Sequence, residues 1–514
     1  MDQWLVDAVP WNSRLSLSLL AGLALALSFP PYHLVFFLPV GFALLPFVLP
    51  GQSRWSLVRS TATIGFVFYA LHVYWFINFH LAALPMVLLV LSIYFALWGY
   101  LLSWTGVSAW TVSGGWMLLQ LVTGSGFLAF PWSRVSTALA AQPVLVQPVR
   151  WTGELAWGGL VVFLCYSLGQ VLRDNRFTWR VFVSAVLVLG LIGAGTYRMQ
   201  TTELTPFNQD VLLVQPNVMS TFSATNQSGM QLKNLRSLTR REANPGDVVI
   251  WPETALMGFP LEFSGHSQLT YRTDADRRRL RHYVENNNYL LTGTRFYDPH
   301  PNKLAYLNGA VLLEPDGRPS GLYTKRIMVP FGEYIPGMGQ YELIEKFGRL
   351  VGTLGYRSGE RGGLMRLPPE NQPIKTAVQI CYEDVFPGYV HSQVRKGADL
   401  LVNISNDSWS RSSAAHWQHF YRARLRAIET GRSLLRNGNT GITALINPLG
   451  RTTSLLKPFE KGVVRDQPLK PLKKSYIVKW NFWISLTSII LLFGAGFLSS
   501  KSESLQSNFP PDGE

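Results

Sequence analysis

Charged residues are distributed very unevenly along this chain, and this constrains the fold more than any other feature. The first 200 residues contain 13 of the 77 Lys, Arg, Asp and Glu residues, namely nine arginines, four acids and no lysine. Long apolar stretches with so few charges are typical of helices that span a lipid bilayer. The remaining residues carry 64 charges. The sequence therefore predicts a membrane portion followed by a water-facing domain.

Apolar runs divide the membrane portion into spans. A helix needs about 20 residues to cross the hydrocarbon core of a bilayer. Two short runs on either side of Pro30-Pro31 predict a hairpin of tight helices, and the segment 103–106 is the only break in a longer apolar stretch. In total, eight runs predict eight spans, at 15–29, 34–49, 61–79, 82–104, 107–130, 155–172, 181–197 and 483–498.

From residue 210 the pattern changes to short β-type runs that alternate with amphipathic segments, which is typical of an α/β domain. Strands are predicted at 211–215, 248–251, 289–293, 310–314, 377–380, 400–404 and 443–446, and helices at 231–243, 274–286 and 413–430. We therefore expect a membrane domain of about seven helices at 1–200, an exposed domain at 201–476, a C-terminal transmembrane helix at 477–500 and a polar tail at 501–514.

Arginines in the short loops predict the orientation of the membrane portion. With eight spans, both termini lie on one side, together with loops that carry five arginines, whereas the opposite short loops carry only Arg134 and Arg150. Basic loops mark the cytoplasmic side. We therefore expect an inner-membrane protein whose large domain is exoplasmic, which in a bacterium with two membranes means periplasmic. The five arginines are Arg54, Arg59, Arg173, Arg176 and Arg180.

The net charge of +15 and the pI near 9.8 would suit either nucleic acid or anionic lipid as a partner. The positive charge is scattered apart from a short cluster at 277–281, so we expect a lipid bilayer and no nucleic acid. The two cysteines, Cys165 and Cys381, fall in a predicted membrane helix and in the exposed domain. They predict no disulfide, and no metal-ligand spacing is present. We expect no metal and no other cofactor.

Three separate stretches carry reactive side chains. Cys381 follows the β-type run 376–380, and at a strand-to-helix junction the helix dipole and backbone N–H groups favour its thiolate. Glu253 ends an apolar run after Pro252, and Lys325 lies eight residues before Glu333 in a Pro/Gly-rich loop. A carboxylate, an ammonium and a thiol supply a general base, a cation for a developing oxyanion, and a nucleophile.

The ordered set of motifs resembles the nitrilase superfamily, and within it the membrane-embedded branch, the apolipoprotein N-acyltransferases. The motifs are WPE (251–253), YxKxxxVPFGEYxP (323–336), CYED (381–384), NDSW (406–409), the stretch 419–429 and NTG (439–441). The resemblance implies a nitrilase-like αββα sandwich for the exposed domain. It also implies a catalytic triad of Glu253, Lys325 and Cys381, with Glu333, Tyr382 and Glu383 as supporting residues.

The resemblance further implies a ping-pong acyltransferase. A membrane phospholipid would donate a fatty acyl chain to Cys381 as a thioester, and the N-terminal amine of a diacylglyceryl-cysteine apolipoprotein would accept it. We expect a monomer, and the substrate-binding residues are not predicted. Two alternatives are a membrane-tethered nitrilase-type amidohydrolase, which passes the acyl group to water, and a catalytically silent membrane scaffold.

Some positions depart from the family pattern or have a structural interpretation. The segment 218–224 lacks the usual tryptophan and carries Phe222, and Gln120 stands where glutamate is common, so both changes concern acceptor handling.

The apolar loops at 254–263 and 327–351 are either lids that enter the outer leaflet or ordinary core. We expect Asn406, Asp407 and Trp409 to form an Asx-type turn, and His419 to be a structural histidine on a helix face.

Overall fold

The computed structural model describes residues 11–219, 225–264, 268–271, 278, 280–284, 287–297, 306–360, 362–473 and 475–507. The chain separates into two compact units, residues 1–201 with 480–514, and residues 202–479. The first unit is helical. Its helices are α1 (Trp11–Leu27), α2 (Phe37–Ala43), α3 (Leu45–Val48), α4 (Arg54–His72), α5 (Ala83–Thr105), α6 (Ala109–Thr123), α7 (Val135–Leu139), α8 (Val149–Asp174) and α9 (Trp179–Thr201), with short 3-10 turns at Tyr74–Asn78, Pro131–Ser133 and Pro143–Val146.

Four helices among the described residues are long and apolar enough to cross a membrane. They are Ala83–Thr105, Val149–Asp174, Trp179–Thr201 and Ile477–Ser499. The other four predicted runs fall on α1, on α2 with α3, on α4 and on α6, which are shorter or less apolar. The helix that begins at Ile477 continues to Ser507, so it includes the first seven residues of the predicted polar tail.

The predicted break at 103–106 is confirmed. Helix α5 ends at Thr105, Gly106 follows with a φ of 75°, and the Ser108 side chain caps α6 in a reciprocal pair with Thr111. The run at 107–130 is not one helix, contrary to the prediction. Helix α6 ends at Thr123 because a Gly-Ser-Gly segment follows, whose second glycine, Gly126, has a φ of 76°.

The second unit is built from two sheets. Its strands are β1 (Val211–Gln215), β2 (Val248–Ile250), β3 (Leu256–Ser264), β4 (Gln268–Tyr271), β5 (Tyr289–Tyr297), β6 (Tyr306–Leu313), β7 (Pro319–Thr324), β8 (Met365–Leu367), β9 (Ile374–Ile380), β10 (Leu400–Ser405), β11 (Leu434–Gly438), β12 (Thr443–Ile446), β13 (Thr452–Leu456) and β14 (Gly462–Asp466). The first sheet has the order β14-β1-β2-β5-β3-β4, with β6 and β7 added beyond β5, and the second has the order β13-β12-β11-β10-β9-β8.

Parallel strands form the centre of each sheet and are buried. In the first sheet β1, β2 and β5 are parallel, and in the second β9, β10 and β11 are parallel. Strand β1 packs on β11 and β12 of the other sheet. The helices of this unit are α10 (Thr225–Glu242), which packs on β1, α11 (Glu342–Val351), α12 (Pro387–Arg395) and α13 (Ser413–Thr430), which packs on β11. A helix, two sheets and a helix therefore form successive layers.

The seven predicted strands all correspond to observed strands, and α13 has the predicted bounds. Seven of the 13 residues of the predicted helix 274–286 lie outside the described residues, among them Arg277 and Arg279 of the cluster at 277–281. The prediction of a loop at 327–351 missed α11. Leu343 and Leu350 on this helix are 79% and 81% exposed, so these two side chains are not core, whereas Leu256 in the other predicted loop is buried in β3.

Candidate active site

Cys381 lies at the first position of a tight 3-10 turn, Cys381–Val385, directly after β9. Strand β9 is almost wholly buried in the second sheet, so it holds the position of its last residue rigidly. Cys381 itself has a φ of 51°, a left-handed conformation that costs a residue with a side chain roughly 1–3 kcal/mol. Backbone strain of this kind is a feature of functional turns. The left-handed conformation directs the Cys381 thiol away from the direction of β9.

Glu253 lies three residues beyond the end of β2, on a turn that continues through Thr254 with a φ of 55°. Gly293 of β5 packs directly against this turn. A Cβ at that position would lie 2.6 Å from Glu253 Cα and 2.6 Å from Thr254 N, so only glycine permits the close approach. The Glu253 carboxylate is buried, and its Oε2 accepts a hydrogen bond from the backbone N–H of Asn406 at 2.8 Å.

Lys325 follows β7, and its ammonium lies between two carboxylates. The Nζ atom is 2.8 Å from Oε1 of Glu333 and 3.5 Å from Oε1 of Glu253, and only 1% of the lysine surface is exposed. The backbone N–H of Glu333 donates to the carbonyl of Val329, and Val329 N–H donates to Glu333 Oε2. These two bonds close a compact loop that brings Glu333 back beside Lys325, and this explains the eight-residue spacing between them.

The charges of the site shift the proton affinities of its members. Burial raises the pKa of Glu253, and the Glu333 carboxylate raises it further, while Lys325 opposes both effects. Burial alone would lower the pKa of Lys325, but Glu333 and Glu253 outweigh this effect and hold that pKa well above its usual range. One buried cation thus faces two carboxylates, and the surroundings of Glu253 favour proton uptake by that carboxylate.

The prediction that the position of Cys381 favours its thiolate was wrong for the resting protein. Burial raises the pKa of the Cys381 thiol well above its ordinary value, and Glu253 raises it further, although Lys325 acts in the opposite direction. The five-residue 3-10 turn provides too small a dipole to overcome this loss of hydration. The raised pKa favours the neutral form of the Cys381 thiol, which lies near the buried carboxyl group of Glu253.

Glu383 joins the Cys381 turn to the Lys325 loop. Its Oε2 accepts from the backbone N–H of Ile380 at 2.8 Å, and its Oε1 accepts from the backbone N–H groups of Arg326 at 2.7 Å and Ile327 at 3.2 Å. The Tyr323 hydroxyl also donates to this carboxylate. A single buried carboxylate thus fixes the lysine loop relative to the nucleophile turn. Tyr382 is buried as well, and its ring packs edge-on against Phe386, with a centroid distance of 5.0 Å.

Asn308, on β6, belongs to the site although no sequence pattern indicated it. Its Nδ2 donates to Oε1 of Glu253 at 2.7 Å and to Oε1 of Glu333 at 3.1 Å. Its backbone carbonyl accepts from Lys325 N–H at 2.8 Å. The amide therefore bridges the two carboxylates and anchors the lysine. An asparagine in a strand that is buried from its second residue onward carries no sequence signal beyond its polarity among apolar neighbours.

The remaining predicted residues lie in different places. The backbone N–H of Asn406 donates to Glu253. The Nε2 of His419 lies 3.3 Å from the Cys381 carbonyl oxygen, and its Nδ1 contacts Asp407. Gln120 is buried in the helical unit, where its side chain contacts Ser133. Phe222 lies outside the described residues. Within the part of the chain that the structure describes, no group of three or more His, Cys, Asp or Glu side chains could hold a metal ion.

Two family models match this sequence. The model described as Carbon-nitrogen hydrolase matches residues 213–466, and the model described as Apolipoprotein N-acyltransferase N-terminal domain matches residues 21–167. Among solved structures, the amidase from Nesterenkonia sp. AN1 aligns over 52% of this chain and 93% of that chain at 16% identity, with a TM-score of 0.35. Fold, site and family models define the class, a nitrilase-like enzyme domain combined with apolar helices.

Three relatives extend the similarity over most of the chain. The Apolipoprotein N-acyltransferase of Azotobacter vinelandii is 30% identical over 96% of both chains. The Apolipoprotein N-acyltransferase of Allorhizobium ampelinum is 27% identical over 94% of this chain and 95% of the relative, and the Apolipoprotein N-acyltransferase 2 of Treponema denticola is 26% identical over 75% and 76%. The chain belongs to the apolipoprotein N-acyltransferase family and is an acyltransferase.

Proposed function

We propose that this enzyme N-acylates bacterial lipoproteins by a ping-pong reaction through a Cys381 thioester. The donor is a membrane phospholipid, and the acceptor is the N-terminal amine of a diacylglyceryl-cysteine. The observation that carries the proposal is the position of the buried Lys325 ammonium, 3.5 Å from Glu253 and 2.8 Å from Glu333, with the charges of Glu253 and Lys325 close enough to Cys381 to shift the pKa of its thiol. Family membership supports lipoprotein N-acylation, and the relatives' names support the acceptor class.

In the first half-reaction Glu253 takes the proton of the Cys381 thiol as the sulfur attacks the ester carbonyl of the phospholipid. The carbonyl oxygen becomes an oxyanion, which the Lys325 ammonium and a backbone N–H of the Cys381 turn stabilise. The carbon–oxygen bond then breaks, and Glu253 returns the proton to the departing lysophospholipid alkoxide. A thioester remains on Cys381. The raised pKa of Glu253 suits both the removal and the return of this proton.

In the second half-reaction the neutral amine of the acceptor attacks the thioester carbonyl. An amide bond forms, the carbon–sulfur bond breaks, and the proton lost by the amine returns to the sulfur through Glu253. Glu333 keeps Lys325 in position throughout, and Glu383 keeps the Lys325 loop against the nucleophile turn. Water must be excluded from the thioester, because hydrolysis would release the fatty acid without product.

We propose that the helices form eight spans, with residues 1–200 and 477–500 in the bilayer, that the catalytic domain at 201–476 faces the periplasm, and that a monomer suffices. The four long apolar helices support membrane embedding. The exposed apolar side chains of α11, Leu343 and Leu350, fit a lid that contacts acyl chains.

The proposal is tested with purified protein in phosphatidylethanolamine liposomes. Intact-mass measurement is expected to show one added acyl chain, located on the peptide that contains Cys381. Addition of a diacylglyceryl lipopeptide should then remove the adduct and give N-acylated lipopeptide in equal amount. Release of free fatty acid at the same rate without N-acylation would instead identify an amidohydrolase-type enzyme, and the absence of any adduct or product would leave a catalytically silent scaffold.

Asn308→Ala is expected to slow acylation of Cys381 about 10- to 100-fold near neutral pH, the effect of losing one hydrogen bond to a charged group. The Asn308 bond lowers the pKa of Glu253, so its loss raises that pKa further, and a higher pH is then needed to ionise the base. The rising limb of the acylation rate against pH should therefore move to higher pH. Asn234→Ala, on α10, is the control. An unmoved pH profile in Asn308→Ala would contradict this role.

A further inference from the structure

A group of buried polar side chains lies beneath Cys381, outside the triad. The group comes from five different parts of the second unit, including the nucleophile turn, strands β10 and β11, and helix α13, and we call it the carbonyl platform. Each member is almost completely buried. Its members are Asp384, Asn403, Asp407, His419 and Arg436.

Two members of the carbonyl platform contact the nucleophile residue directly. The Nδ2 of Asn403 donates to the carbonyl oxygen of Cys381 at 3.0 Å, and the Nε2 of His419 lies 3.3 Å from the same oxygen. His419 Nε2 also lies 2.9 Å from Oδ1 of Asp384. Because both of these neighbours of Nε2 are acceptors, Nε2 carries a hydrogen whichever charge the ring has.

The other contacts fix the two donors. Arg436 donates from Nη1 to Oδ1 of Asn403 at 2.8 Å and to Oδ2 of Asp384 at 3.2 Å, and from Nη2 to Oδ2 of Asp407 at 2.8 Å. The Nδ1 of His419 lies 2.9 Å from Nη2 of Arg436 and 3.1 Å from Oδ1 of Asp407. The guanidinium thus orients the amide of Asn403 so that its N–H points to Cys381, and the guanidinium and the two carboxylates together orient the imidazole ring.

We propose that His419 and Asn403 are positioning residues for acyl transfer, which hold the Cys381 carbonyl and thereby keep the thiol directed at Glu253 and Lys325. This inference rests on the proposed role of Cys381 as the nucleophile. The left-handed φ of Cys381 makes the turn costly, so the turn persists only if neighbouring groups stabilise it. Apolar side chains of similar volume would pack a core at least as well as this buried charged group, whereas only donors can bind the carbonyl.

The test compares two variants in which an amide side chain replaces that of His419, namely His419→Gln and His419→Asn. The Nε2 of glutamine can reach the place of the histidine Nε2, whereas asparagine is one methylene shorter and cannot reach the Cys381 carbonyl. His419→Asn is expected to reduce the maximal rate of Cys381 acylation about tenfold or more, as for one lost hydrogen bond, with an unchanged half-saturating donor concentration. His419→Gln should retain the rate within about threefold.

The matched control is His391→Asn. His391 is equally buried and its Nε2 bonds to Oε2 of Glu429 at 3.0 Å, but it has no contact with Cys381. Its variant should acylate at the wild-type rate. An equal rate in His419→Asn and His419→Gln, or an equal loss in His391→Asn, would overturn the proposal. If His419→Asn does not fold, Asn403→Asp replaces it, because it keeps the acceptor for Arg436 and puts an acceptor in the place of the donor to Cys381; a wild-type rate in that variant would overturn the proposal too.

Acylation is measured by intact mass with two donors, phosphatidylethanolamine liposomes and p-nitrophenyl butyrate. The aryl ester needs the nucleophile and the oxyanion donors but no phospholipid recognition. If p-nitrophenyl butyrate acylates the wild type and phosphatidylethanolamine does not, the result contradicts the proposed phospholipid donor. The comparison of the position-419 variants with the aryl ester would still decide the positioning role. A slower His419→Asn with both donors supports the role of the carbonyl platform.

Discussion

Replacing Cys381 by serine is expected to reduce N-acylation at least about a thousandfold, the largest effect of any single substitution in this chain. The sulfur is the only atom of the site that can form the thioester, and a serine hydroxyl is a poorer nucleophile with a much higher pKa. The measurement is the initial rate of lipopeptide N-acylation in phosphatidylethanolamine liposomes, together with the mass of the acyl adduct. No adduct should form on the peptide that contains residue 381.

The second cysteine provides the control for this experiment. Cys165 is also buried, but it lies on α8 in the helical unit. Cys165→Ser should retain both the adduct and the N-acylation rate. Persistence of the adduct in Cys381→Ser, or its disappearance in Cys165→Ser with an intact fold, would show that Cys381 is not the nucleophile.

Lys325→Met is expected to impair both catalysis and folding. The ammonium neutralises Glu333 at 2.8 Å and Glu253 at 3.5 Å, and its loss leaves two buried carboxylates facing each other. Breaking a buried ion pair by removing one partner costs about 3–5 kcal/mol of unfolding free energy. Loss of one oxyanion donor slows acyl transfer about 100- to 1,000-fold. Denaturant unfolding of the detergent-solubilised protein and the acylation rate measure the two effects.

Lys346 offers the matched comparison, because it pairs with Glu342 at 3.0 Å on α11 but is 63% exposed. An exposed pair of this kind contributes about 0–1 kcal/mol, so Lys346→Met should unfold almost as the wild type does and should acylate normally. If Lys325→Met unfolds like Lys346→Met and retains acylation within about threefold, the ammonium neither holds the carboxylates nor stabilises the oxyanion.

Sequence reasoning works best where a short pattern has one physical solution. The apolar run before Glu253 and the β-type run before Cys381 are buried parallel strands in the structure, and this places both residues at strand ends. The helix start after Gly106 follows from a glycine and a serine cap. These features depend only on residues that are neighbours in the chain, so a single sequence is enough to predict them.

Features that depend on the meeting of distant segments were not predictable in the same way. Asn308 is separated from Glu253 by 55 residues, and its role arises only because β6 lies two strands from β2 in the first sheet. The charge state of Cys381 was mispredicted for a related reason. Local sequence identifies the turn but not the burial or the proximity of Glu253, and these two influences dominate the pKa of the thiol.

The two sheets contribute different members of the site, since Glu253 and Lys325 follow strands of the first sheet and Cys381 follows β9 of the second. The first sheet is complete only when β14, near the end of this domain, pairs with β1 at its beginning. In the proposed mechanism, a nascent or nicked chain that has formed one sheet alone has a thiol without its base. Turnover therefore requires both sheets and reports correct tertiary assembly.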